Sequence, residues 1–132
     1  MNPAMRRSIR WLAVLLWTAA IFSFSSIPGS QIPGNYSVLG HLSEYAILGA
    51  LLYFALRFDL DRSRALSLAI ILASAYGITD EFHQHFVVMR TPDPADWALD
   101  TLGALAGAAI AMFVGGYVGL RAEHSATRVA TQ

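Results

Sequence analysis

Four long apolar stretches, each close to the length of a membrane span, restrict the fold of this 132-residue chain more than any other feature. They run Trp11–Ile27, Val38–Leu56, Ala65–Thr79 and Thr101–Leu120, and neither of the last two carries a charge. A hydrocarbon core about 30 Å thick takes about 20 helical residues, and only helices and closed barrels cross it with every backbone group paired. Barrel strands need only about 9–11 residues, so runs of this length read as helices. The expected fold is all-α: an integral membrane bundle of four transmembrane helices, at about residues 9–25, 38–57, 65–84 and 96–120, in a single domain over 1–132.

The charge distribution gives this bundle an orientation. Only 14% of residues are charged and 55% are hydrophobic, against roughly 25% charged in soluble domains. Formal net charge is zero, so no basic surface points to nucleic acid. All nine basic residues are arginine. Arg6, Arg7 and Arg10 precede the first span, Arg57, Arg62 and Arg64 separate the second from the third, Arg121 and Arg128 follow the fourth, and Arg90 alone lies in one of the other two loops. By the positive-inside rule both termini are cytoplasmic, and the loops at 28–37 and 84–95 face outward. The N-terminus resembles a signal peptide with Ser23-Phe24-Ser25 as cleavage site, but its apolar run is longer than a usual signal core and reads as a retained packing and anchoring span. The absence of cysteine excludes disulfides, thiol nucleophiles and thiolate metal sites.

The third apolar run ends abruptly in Asp80-Glu81-Phe82-His83-Gln84-His85, where ionised groups are costly and therefore mark a candidate functional site. Counting at about 1.5 Å per residue puts Asp80 and His41 both some 6 Å below the outer boundary, with Glu44 some 10 Å deep. In the second span His41, Glu44 and Tyr45 share one helical face, either as a self-satisfied His–Glu packing pair or as part of a site. In the third, Asp80 is in register with His83 and Gln84, and Glu81 with Gln84 and His85. Two adjacent carboxylates cannot both face lipid cheaply, so at least one is expected to face His41 and Glu44. In the outer loop, beyond Arg90, Asp93 before Pro94 fits an N-cap followed by proline at the first helical position, with Asp96 at the third. Asp100 lies four residues further on, on the face of Gly103 and Gly107, whose G-x-x-x-G spacing is a close-packing pattern, and is expected to point into the bundle.

The candidate cluster is thus His41, Glu44, Tyr45, Asp80, Glu81, His83, Gln84, Arg90, Asp96 and Asp100. Carboxylates and imidazoles converging in this way can ligate a divalent cation, share a proton, or hold a cationic partner. For a metal the expected ligands are Glu44, Asp80, Glu81 and His83, though Asp-Glu-x-His-Gln lacks the paired-histidine spacing of zinc helices.

These residues carry a family resemblance. His41-x-x-Glu44-Tyr45, Tyr76-Gly77-x-x-Asp80-Glu81-x-His83-Gln84-x-Phe86 with Arg90, Asp96 with Thr101-Leu102-Gly103-x-x-x-Gly107, and Phe22-Ser23-Phe24-Ser25-Ser26 resemble the VanZ-like family of small bacterial membrane proteins over about residues 10–115. The resemblance implies a multi-span protein whose founding member is linked to resistance to the glycopeptide teicoplanin, and it implies no reaction. The chain departs from the family at Val88-Met89, where Pro-Gly is frequent, and at Asp100, where asparagine is frequent.

The leading expectation is a VanZ-like cell-membrane protein of the envelope, its outward-facing cluster binding a lipid head group, a lipid-linked envelope precursor or a glycopeptide-related ligand. Beside it stand a metal-dependent membrane hydrolase using Asp80, Glu81 and His83, and a proton-coupled carrier, for which a homodimer through the glycine faces would be needed. The lipid bilayer is the one certain partner of such a chain, and any phosphorylated ligand would need Arg90 or a bridging cation beside so acidic a cluster. The arginine bias generates a direct prediction. A periplasmic or extracellular reporter fused after Gln132 is expected to be inactive and a cytoplasmic one active; the opposite result would invert the topology and put the cluster on the cytoplasmic side.

Overall fold

A computed structural model describes residues 2–33 and 36–130, with side chains described up to Tyr117 except those of Tyr36 and Ser37. Gly34 and Asn35 of the expected outer linker, and the side chains of Arg121 and Arg128, lie outside the described residues. The chain forms α1 (Pro3–Ser25), a single 3₁₀ turn (Gly29–Gln31), α2 (Tyr36–Leu56), α3 (Arg62–Gln84) and α4 (Pro94–Ala130). All four helices contain a stretch long and apolar enough to cross a membrane. The all-helical membrane bundle expected from the apolar runs is thereby found.

The helices begin where caps allow, not where hydrophobicity starts. Asn2 accepts the Ala4 N–H at 3.0 Å and Pro3 takes the first helical position, so α1 opens six residues before the expected start and carries Arg6, Arg7 and Arg10 within it. Asp61 accepts the Arg64 N–H at 2.9 Å and opens α3 at Arg62; that backbone donor holds the Asp61 carboxyl below its ordinary range. Asp93 accepts the Ala95 N–H at 2.8 Å ahead of Pro94, the N-cap that the Asp-Pro pair predicts.

Small residues set the packing. Along α3 the buried face runs Ala65, Ala69, Ala73, Gly77, one residue per turn, and continues directly into Asp80, Glu81 and Gln84. The most extensive interface joins α2 to α4. There a Cβ on Gly107 would collide with the Ala46 carbonyl oxygen, one on Gly103 would sit 2.5 Å from the Leu42 carbonyl oxygen, and one on Gly49 would collide with the Ala104 carbonyl oxygen. The expected packing role of Gly103 and Gly107 is thus explained by close backbone approach. Large apolar residues such as Leu15, Leu16, Ile71 and Phe113 point outward, the inverse of a water-soluble core and suited to acyl chains.

The polar ends are segregated. Arg7 pairs with Asp59 at 3.0 Å, Arg10 donates to the Phe54 carbonyl at 2.8 Å, and Arg57 donates to the Leu60 carbonyl, all at the end where α2 meets α3. At the opposite end the α1–α2 and α3–α4 connections dock on each other. The Gly29 N–H donates to the Val88 carbonyl at 3.1 Å, a Cβ on Gly29 would collide with the Met89 carbonyl oxygen, and Met89 takes a left-handed backbone with φ 59°. Such a conformation costs a non-glycine residue roughly 1–2 kcal/mol.

The glycine seam yields a stability prediction. Gly107→Val should force α2 from α4 and lower stability by about 3 kcal/mol, because carbonyl backbone cannot move aside as a side chain can. Gly115→Ala, whose added Cβ would meet only the Phe54 ring at 3.7 Å, should be near neutral. Thermal unfolding in detergent compares the two, and equal melting would refute the seam.

Candidate functional site

Four segments deliver polar side chains to the end of the bundle where α1 and α3 finish and α2 and α4 begin. At its centre His41 of α2 bridges to α4. Its Nδ1 lies 2.7 Å from Asp100 Oδ1, and its Nε2 lies 3.7 Å from Asp96 Oδ2, one turn earlier. Asp100 is completely buried and His41 nearly so. This pairing exists because the glycine seam brings the two helices together just beyond the same two residues. From α3, Glu81 approaches the pair: His41, Glu81 and Asp100 each present a ligand atom within 4.8 Å of the others. Glu81 Oε2 also accepts the Asp93 N–H at 2.9 Å, tying α3 to the first turn of α4.

Asp80, though adjacent to Glu81, belongs to a different set of contacts. Successive residues on a helix diverge by about 100°, so when Glu81 faces α4, Asp80 faces α1. There Asp80 Oδ2 accepts from Ser25 Oγ at 2.8 Å and from Gln84 Nε2 at 3.2 Å. One turn on, His83 Nε2 lies 3.0 Å from Ser26 Oγ and its ring packs on Phe22 with centroids 4.1 Å apart. Arg90 reaches back across the loops and donates through Nε to the Ile27 carbonyl at 3.2 Å. Tyr45 is fully buried beside Tyr76, with ring centroids 6.3 Å apart.

The structure therefore gathers the ten sequence-derived candidates at one end but distributes them differently from expectation. His41 hydrogen-bonds with Asp100 on α4, not with α3, from which Glu81 approaches it. Of the expected metal ligands Glu44, Asp80, Glu81 and His83, Glu81 alone belongs to the convergent trio; Asp80 and His83 turn toward α1, and Glu44 lines a cavity beside His41. His85 is exposed against the Phe86 ring. Ser25 and Ser26 are site residues that the apolar character of the first span conceals; their signal is the paired hydroxyls where that span ends.

The cavity encloses about 230 Å³ between α1, α2 and α3. Its apolar lining residues are Phe24, Ile27 and Ile32, its polar ones Ser25, His41, Glu44, Gln84 and Arg90, and Gly40 also lines it. Among the described residues, four buried polar atoms at this end of the bundle have no hydrogen-bond partner: Tyr45 Oη, Asp80 Oδ1, Glu81 Oε1 and Asp100 Oδ2, none of them in a residue that lines the cavity. Buried polar atoms are nearly always paired, so four unpaired ones require an explanation.

A four-helix membrane bundle with buried acids and a histidine gathered at one end is the class that fold and site define. A sequence profile described as VanZ/LLP1 matches residues 10–115, most of the chain, and the protein belongs to this VanZ-like family. No curated protein and no solved structure matches it.

The Asp80 contacts predict a stability effect on α1. Ser25→Ala removes the shorter of the two donors to a buried carboxyl and should lower stability by roughly 1–3 kcal/mol. A double-mutant cycle with Asp80→Asn, read by thermal unfolding in detergent, should show strong coupling; strictly additive effects would disprove the bond.

Proposed function

We propose that this protein is an envelope-associated binding module, which holds the head group of an amphiphile, a lipid or lipid-linked precursor, in the cavity between α1, α2 and α3. The observation that carries the reading is the cavity's mixed lining, with apolar Phe24, Ile27 and Ile32 beside polar His41, Glu44, Gln84 and Arg90. Such a lining suits a molecule with an oily tail and a charged head. Arg90 spends Nε on the Ile27 carbonyl, and its guanidinium has further donors for a phosphate or carboxylate. Glu44 supplies an acceptor for an ammonium or hydroxyl group.

The segregation of Arg7, Arg10 and Arg57 at the opposite end supports a cytoplasmic placement of that end and an outward-facing site. In its physiological form this reading includes a contribution to glycopeptide resistance, through sequestering or presenting an envelope precursor that teicoplanin also meets. The family's founding member supports that extension.

The test is the identity of what co-purifies. Mass spectrometry of the protein extracted in mild detergent should detect an amphiphile retained at about one per chain, and Arg90→Ala should reduce retention about tenfold or more, as expected on losing a charge-assisted contact. Retention that is identical in wild type and Arg90→Ala, or that tracks bulk membrane composition, rejects the reading.

A further inference from the structure

We infer that His41, Glu81 and Asp100 form a binding site for a divalent first-row transition cation, of the Zn²⁺ or Mn²⁺ type, directly behind the cavity wall that His41 provides. Three helices each contribute one donor, and the three ligand atoms lie within 4.8 Å of one another. A cation held 2.0–2.6 Å from each ligand requires ligands no more than roughly 4–5 Å apart, so the trio is already at coordination spacing.

A second observation, independent of spacing, points to a ligand. Glu81 Oε1 and Asp100 Oδ2 are buried and lack any hydrogen-bond donor, while the other oxygen of each carboxyl is engaged, by the Asp93 N–H and by His41. The carboxyls are thus fixed in place by one oxygen with the second left over. Asp100 is wholly buried and Glu81 is 8% exposed, so solvent does not readily satisfy them. Among the described residues no arginine comes within ion-pair distance of Asp80, Glu81 or Asp100; His41 is the sole basic partner, and it is paired with Asp100 and Asp96. Glu81, Asp100 and Asp96 thus share one imidazole, and a divalent cation among them would offset their charge.

The donor set selects the class of cation. An imidazole with two carboxylates suits Zn²⁺, Mn²⁺ or Fe²⁺; thiolate-seeking ions have no ligand here, and Ca²⁺ or Mg²⁺ would gain little from the histidine. The supporting shell is also present. Asp96 stands 3.7 Å from His41 Nε2, and the Asp93 N–H orients Glu81, so both flank the trio from the first turns of α4. The site stands on this geometry alone. A coupling of its charge to a phosphate-bearing head group in the cavity rests on the binding reading above.

The full chain, purified in detergent and stripped with EDTA, is equilibrated with micromolar Zn²⁺ or Mn²⁺ and analysed for bound metal. About one equivalent per chain is expected, with a raised melting temperature, and excess Mg²⁺ or Ca²⁺ should not displace it. Asp100→Asn and Glu81→Gln should each weaken binding at least about tenfold. If Asp100→Asn does not fold, Glu81→Gln carries the test, since its backbone-held oxygen is retained. Arg90→Ala should keep the metal while losing the amphiphile. Substoichiometric metal in the wild type, or unchanged affinity in the folded amide variants, overturns the cation site and leaves the amphiphile reading untouched. Metal retained by the wild type without any amphiphile overturns the other.

Discussion

Everything at the polar end depends on how closely α2 and α4 approach. Gly103 and Gly107 lie against the Leu42 and Ala46 carbonyls, closer than any side chain would permit. In lipid no hydrophobic force drives helices together, so van der Waals contact along such a seam, with hydrogen bonds between helices, must hold them. The His41–Asp100 pair sits at the upper end of this seam and is short because the backbones are. The small-residue face of α3 then brings Glu81 to the same place. A polar cluster of this burial is possible only on a scaffold whose spacing is fixed by contacts between backbones.

Much of this was legible in the sequence. Apolar length gave the four spans, the Asp-Pro pair gave the start of α4, and the spacing of Asp100 from Gly103 and Gly107 gave its inward direction, because each is a local property of a helix. The level along the bundle was legible too, since rise per residue is constant and the ligand atoms of His41 and Glu81 do come within 4.8 Å of each other. Azimuth was not. Which of Asp80 and Glu81 meets α2 or α4 depends on how three helices rotate against one another, and that is decided by alanines and glycines scattered through the chain. The contribution of Ser25 and Ser26 was hidden for a related reason: a hydroxyl in an apolar run costs little wherever it points, and only a partner 55 residues away reveals its use. Helix starts were misread where charged residues precede the apolar run, because hydropathy measures the span and capping measures the helix.

The loop that carries Arg90 is held by its contact with the α1–α2 connection. Met89 takes the left-handed conformation there, at φ 59°. The surroundings fix that conformation: the Val88 carbonyl receives the Gly29 N–H and the Met89 carbonyl sits where Gly29 has no side chain. Glycine therefore stands on one side of the contact and strain on the other. The result holds Arg90 close enough to donate to Ile27.

The helix that walls the cavity is also the one least embedded in the bundle. Within α1, Val14, Ile21 and Ser25 are buried, and Leu12, Leu15, Leu16 and Phe22 look outward. Its fastenings are largely polar: Arg7 to Asp59 and Arg10 to the Phe54 carbonyl near its start, Trp17 to the Glu44 carbonyl at 2.9 Å and Tyr76 to the Thr18 carbonyl at 2.7 Å along its length, and Ser25 to Asp80 with Ser26 beside His83 at its end. A membrane thicker or thinner than the bundle is met by tilting, and a lightly packed helix tilts before a seam of glycines parts. Tilting α1 shifts Ser25 against Asp80 and Phe24 against the cavity. A change in bilayer thickness that tilted α1 would therefore reach Asp80 and the cavity through Ser25 and Phe24.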